Sequence, residues 1–336
     1  MSGRWQRWLP GILLVLAASL PFWFIQSQFT LAMFTLMFIW MALGMAWNLI
    51  SGFGRQVSFG HSAFFGVGAY TTALLLIRLH VTPLLGIPAG GLLAGLLSLG
   101  YTVVFRLRGI YFSLATFALT LILQNLAVYF SGFTGGDVGL SMPLLGNAPA
   151  FLQFTNKLWY YYLVLGVAAV YFAVSAWFQG SPLGLFVRAV GDDQEAARAA
   201  GVRALGAKVR ALALSAVLTG IVGGFYFVYV TFIDPASAFG YTVATQIAIL
   251  PMAGGAGTLW GPVIGAAVLY PLQQELNVAF PNLPAEIGLM VYAVVVLLVI
   301  GADANGLYSL GVRVIRALRG RARPASPEAD VRRQVS

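Results

Sequence analysis

Few side chains in this chain can do chemistry, and the densest group lies in one short stretch. Asp192, Asp193 and Glu195 precede Ala196, Ala197 and Gly201. Carboxylates so spaced suit the start of a helix, where free N–H groups and the helix dipole favour negative charge. Gly201 suits the left-handed position just past a helix end. The expected product is a short helix over 192–201, polar on one face and smooth with alanine on the other. A smooth, small-residue face lets another protein approach closely. The alternative role is a solvated loop helix that only holds its flanking segments in place.

A second group is scattered through apolar sequence. Ser58, His61 and Ser62 surround Gly60, and Gln124, Asn125 and Gln246 stand alone in later runs. Polar groups at membrane depth face a bundle interior or a water-filled path. Each of these residues is therefore a candidate either to line a translocation path or to hydrogen-bond between helices. Other chemistry is excluded. There is no cysteine, and His61 and His80 are too few and too far apart for a metal cluster. Lys157 precedes Leu158 and Lys208 precedes Val209, so no phosphate-binding Lys-Ser/Thr turn exists and no cofactor site is expected. No acid falls in the middle of an apolar run, which argues against proton or sodium coupling and for an external source of energy.

The elements that must position these residues are membrane helices. Hydrophobic residues make up 60% of the 336 and charged residues 9%, with mean hydropathy +0.86. Soluble domains carry roughly 25% charge. Ten apolar runs, near 9–26, 29–50, 57–77, 84–105, 110–130, 158–178, 209–231, 241–255, 260–279 and 285–301, predict an all-α integral membrane protein, a polytopic bundle of ten transmembrane helices. With ten crossings, 17 of the 19 basic residues fall on one side and only Arg78 and Lys157 on the other. The positive-inside rule then places both termini in the cytoplasm. The net charge of +9 belongs to loops beside lipid and does not call for nucleic acid.

The predicted organisation is a cytoplasmic N-terminus at 1–8, a membrane domain at 9–311 with a cytoplasmic loop at 179–208, and a basic cytoplasmic tail at 312–336. The tail, with Pro324 and Pro327, is expected to be disordered or to lie on anionic lipid. The first run contains Ala17-Ala18-Ser19, a cleavage-like triplet, but continues apolar through Ile25, so a retained helix is expected.

The stretch Glu195-Ala196-Ala197-x-x-x-Gly201 resembles the coupling loop of importer-type ABC permeases. With Phe186-x-Arg188-Ala189 before it, it resembles the branched-chain amino-acid (LIV-type) permeases in particular. Asn48–Tyr70, Arg108–Thr116 and Gly254–Pro262 are similar to the same family, and to its M-type rather than its H-type member. Where that family often ends its last span with Pro-Arg-Gly-Leu, this chain has Ala304-Asn305-Gly306-Leu307. The resemblance implies a heterodimer with a second permease, two cytoplasmic ATPase subunits that use ATP, and an external solute-binding protein, all at a bacterial inner membrane. It implies transport of branched-chain or other apolar amino acids. Urea, amides or aromatic acids are the alternative cargo, and an ATP-independent channel or carrier is the alternative mechanism.

Overall fold

The computed structural model describes residues 5–24, 27–107, 109–143, 146–279 and 306–321, with scattered positions between 293 and 303. Helix α1, Trp5–Phe24, contains Pro10 and Pro21 and lies against a later helix, where the Tyr161 hydroxyl donates to the Ala17 carbonyl at 2.5 Å. Ser27 caps α2, Gln28–Trp47, which runs on into a π-turn at Asn48–Gly52. Then come α3, His61–Leu79, and α4, Pro83–Gly100, tightened into a 3-10 segment at Tyr101–Arg106. After α5, Ile110–Tyr129, and the single turn α6, Ser131–Thr134, the strand β1, Leu140–Ser141, pairs antiparallel with β2, Phe232–Ile233. Between those strands lie α7, Leu158–Gly180, α8, Pro182–Asp192, α9, Gln194–Ala199, and α10, Ala204–Val230. The chain continues through α11, Pro235–Phe239, α12, Tyr241–Gly255, α13, Gly261–Ala279, and α14, Gly306–Arg321.

Among the described residues, seven helical stretches are long and apolar enough to cross a membrane. They are α2 with its π-turn, α3, α4 with its 3-10 end, α5, α7, α10, and α11 with α12. The first nine apolar runs each carry a helix; most of the tenth, 285–301, and the tail beyond 321 lie outside the described residues, and the positions described between 293 and 301 are helical. Two expectations are corrected. The run at 57–77 is helical only from His61, because residues 57–60 still belong to the loop after the π-turn and Gly60 is the cap of α3. The 179–208 loop holds two helices rather than one. The all-α outline holds, with one two-residue strand pair, β1 with β2, among the described residues.

The bundle centres on α3, α4 and α10, whose glycines let the backbones touch. A methyl group on Gly68 would overlap the Gly220 carbonyl, and one on Gly223 would overlap the carbonyl of Phe65. Helices in lipid associate by such close packing, since acyl chains offer the same apolar surroundings as leucine. Against this trio, α2 packs with α7, α12 and α13 around buried Phe38, Trp40, Trp47, Tyr161 and Leu269. The outer surface reads as lipid-facing: Leu84, Leu85, Leu92, Leu93, Leu96 and Leu99 of α4 are exposed, and exposed Trp159 and Trp177 stand at the two ends of α7. Tryptophan favours the two membrane–water boundaries.

Candidate coupling helix and translocation face

The carboxylates of 192–195 divide their work. Asp192 ends α8 instead of capping the next helix, and its carboxylate meets Arg55 at 2.9 Å. Asp193 is the cap: its side chain accepts from the N–H groups of Glu195 at 2.9 Å and Ala196 at 3.1 Å. Helix α9 is thus one residue past Asp193 and six residues long, shorter than expected. Gly201 closes it with φ +85°, and the Val202 N–H reaches back to the Ala197 carbonyl. A left-handed residue there is the reason for glycine. Ala197 points inward against Val190 and Ala204, whereas Glu195, Ala196, Arg198, Ala199 and Ala200 are exposed.

Helix α8 clamps this exposed element onto the loop after α2. Gly191 lies against the Gly54 backbone, close enough that a methyl group would come within 2.8 Å of it. The Arg188 guanidinium stacks 4.5 Å above the Phe53 ring. Burial there lowers the Arg188 pKa, and the nearby Asp192 carboxylate partly opposes that shift. One side chain carries the connection further. Asn48, 1% exposed, donates to the Thr258 carbonyl and accepts from the Gly257 N–H, both at 2.8 Å. It ties the glycine-rich segment after α2 to the one after α12.

The candidate path residues separate into two environments. Ser58, Gly60, His61 and Ser62 are all buried within the protein. The Ser58 carbonyl accepts from the Trp47 indole at 2.8 Å, and its hydroxyl accepts from the Gly60 N–H. Gly60 sits beside Tyr101 and Thr116. The His61 Nε2 lies 2.8 Å from the Ser215 hydroxyl, which itself donates to the Ala46 carbonyl at 2.6 Å. Because that hydroxyl has one proton, His61 must donate from Nε2, and Nδ1 is left as the bare nitrogen. These residues tie α2, α3 and α10 together. Ser215→Ala is therefore expected to strip a buried N–H of its acceptor and lower stability by about 1–3 kcal/mol without changing the KM for uptake. A changed KM at an unchanged melting temperature would place His61 on the path instead.

Gln124, Asn125 and Gln246 lie elsewhere, on α5 and α12, with Asn125 exposed and the other two half-buried. Asn125 is exposed beside Leu121, Leu126 and Tyr129, with its Nδ2 donating to the Leu121 carbonyl at 2.8 Å. Gln124 is half-buried. The Gln246 amide meets Gln273 of α13 at 3.2 Å, and Phe117 of α5 touches Tyr241 of α12 edge-on. Helix α5 is the least covered of the seven stretches. An amide exposed on such a helix contrasts with the all-leucine surface of α4. The residues that sequence reasoning missed are Asn48, Arg55 and Ser215. The visible signals for Asn48 were a polar residue near the end of an apolar run and its place at the head of the family-like stretch Asn48–Tyr70.

A helical membrane domain with a capped, outward-facing helix pair between two of its spans has the architecture of a transporter's membrane subunit. The chain belongs to the family described as branched-chain amino acid transport system / permease component, which matches residues 29–300. Among curated proteins it is similar to the high-affinity branched-chain amino acid transport system permease protein LivM of Escherichia coli strain K12. The two are 29% identical over 289 residues, 79% of this chain and 67% of the relative. LivM of Salmonella typhimurium strain LT2 is likewise 29% identical, over 290 residues and the same shares. No solved structure gives a significant match.

Proposed function

We propose that this chain is the membrane-spanning subunit of an ATP-driven importer of branched-chain or other apolar amino acids. It works beside a second permease, with two cytoplasmic ATPase subunits and an external solute-binding protein, in a bacterial inner membrane. Ten spans with both termini in the cytoplasm are the matching topology, and ATP is used by the partners rather than by this chain. The observation that carries the reading is the chain of contacts behind α9. An ATPase that moves α9 also moves α8, which is held to Gly54 and Arg55 beside α3; Asn48 then passes the displacement to α12 and α13. Packed elements with discrete contacts of this kind transmit rigid-body motion.

The path, in this reading, runs along the exposed face of α5 and α12 toward the second permease, with Asn125, Gln124 and Gln246 as its polar groups. A face of neutral amides among apolar side chains suits a net-neutral zwitterion with an apolar side chain better than an ion.

Glu195→Arg and Ala196→Trp test the coupling assignment without straining the backbone, because both residues are exposed on α9. Each is expected to weaken capture of the ATPase subunits and solute uptake by roughly tenfold, about 1.4 kcal/mol of interface energy. Undiminished capture and uptake in both variants would reject it. Uptake that survives ATP depletion in proteoliposomes would instead favour an ATP-independent carrier.

A further inference from the structure

Beside α9, three cations converge on one recess. Arg106 ends the 3-10 segment of α4, Arg198 projects from α9, and Lys208 stands in the first turns of α10. Together with Gln194, Phe105, Val103 and Leu205 they line a cavity of about 430 Å³. Lys208 is unusual for a lysine in being only 8% exposed. Its ammonium donates to the Gln194 side chain at 2.8 Å and lies 6.0 Å from the Phe105 ring centre. None of these lining residues is acidic, although Arg198 pairs with Glu195 at 3.3 Å. Three basic side chains in a lining without an acid leave the recess positive.

Its rim is apolar and outward-facing. Val103 is 70% exposed and Leu205 55% exposed, and above them runs the exposed leucine surface of α4, Leu92, Leu96 and Leu99. A positive recess at the foot of an acyl-facing surface has the form of a headgroup site with a place for its tails.

We propose that Arg106, Arg198 and Lys208 bind the phosphate of an anionic phospholipid whose acyl chains lie along α4. The proposal uses the membrane placement argued above, but not the identity of the solute. Soluble phosphate offers the same anion, and the exposed apolar rim is what favours the lipid. A lipid so bound would join α4, α9 and α10 at the base of the coupling element. The transporter would then be sensitive to the composition of the inner leaflet.

The test is native mass spectrometry of the purified complex titrated with phosphatidylglycerol against a phosphatidylcholine background. Arg106→Gln and Lys208→Gln are each expected to lower the apparent affinity for phosphatidylglycerol by roughly fivefold, the worth of one cation near an anionic membrane surface. Arg210→Gln, an exposed cation outside the recess, should leave it unchanged. Arg106 is itself exposed, so its variant should melt as the parent does without lipid and keep the test open if Lys208→Gln fails to fold. Equal phosphatidylglycerol binding by parent and Arg106→Gln would overturn the proposal. So would displacement of the lipid by inorganic phosphate at matched concentration, which would assign the recess to a soluble anion. Loss of lipid binding with normal uptake would keep the site while leaving the coupling assignment to its own experiment.

Discussion

Gly68→Val is expected to abolish accumulation of the folded transporter. The α-hydrogen side of Gly68 faces Gly220 of α10, and Gly90 of α4 in turn packs on the Gly68 backbone, where a methyl group on Gly90 would lie 2.6 Å from the Gly68 carbonyl oxygen. Three backbones meet at this point, and backbone cannot move aside as a flexible side chain can. Separating the helices would forfeit the packing that holds them together in lipid, since no hydrophobic drive compensates. Overpacking alone costs about 1–3 kcal/mol in cores that can relax, and this site has less room to relax. Gly223→Val should act alike, because it would strike the Phe65 carbonyl. Gly166→Ala is the contrast: nothing lies within 4 Å of that position in α7, so its melting temperature should equal or exceed the parent's. Size-exclusion profiles and thermal melting of the three variants check the ordering. Equal melting of Gly68→Val and the parent would show that the trio does not pack as described.

Membrane residence and helix placement were legible in the sequence because both follow from local composition. Each apolar run records its own solvent, and its ends are marked by Gly, Pro or charge. What one run does to another is not local. His61 read equally as path or packing, and the sequence could not show that Ser215, far along the chain in α10, stands within hydrogen-bond reach of it. Conversely, Asn125 looked like an interhelical hydrogen-bonder, yet its amide turns back on its own helix and faces outward. The division of labour between Asp192 and Asp193 was equally hidden. Two adjacent carboxylates can both cap in principle, and the partner Arg55 that claims Asp192 lies in a distant loop. The short α9 and its glycine stop were legible, since capping chemistry depends on neighbours in sequence.

Asn48→Leu is the second substitution expected to have a large effect, and it bears on function as well as stability. Leucine keeps the branched outline of asparagine, but its methyl groups are bulkier than the oxygen and nitrogen that now sit 2.8 Å from backbone. The change therefore crowds the site and also removes two hydrogen bonds. Both are made to backbone: the Thr258 carbonyl loses its donor and the Gly257 N–H its acceptor. At about 1–3 kcal/mol for each orphaned group, the loss is roughly 2–6 kcal/mol, a large fraction of a typical protein's stability. Water entering from outside the bundle can relieve part of that cost, because Gly257 also borders an open recess of about 670 Å³ shared with Arg55, Arg188 and Asp192. Relief by water would restore the hydrogen bonds but not the tie between the two glycine-rich segments. Uptake should therefore fall further than the melting temperature alone would explain, while capture of the ATPase subunits through α9 stays at the parent's level. Asn48→Asp sharpens the comparison. A carboxylate can still accept from Gly257 but cannot donate to Thr258, so it keeps one half of the tie and sets a negative charge beside a carbonyl. If Asn48→Leu melts lower yet transports at the parent's rate per folded molecule, Asn48 is a packing residue and motion from α9 reaches α12 by another route.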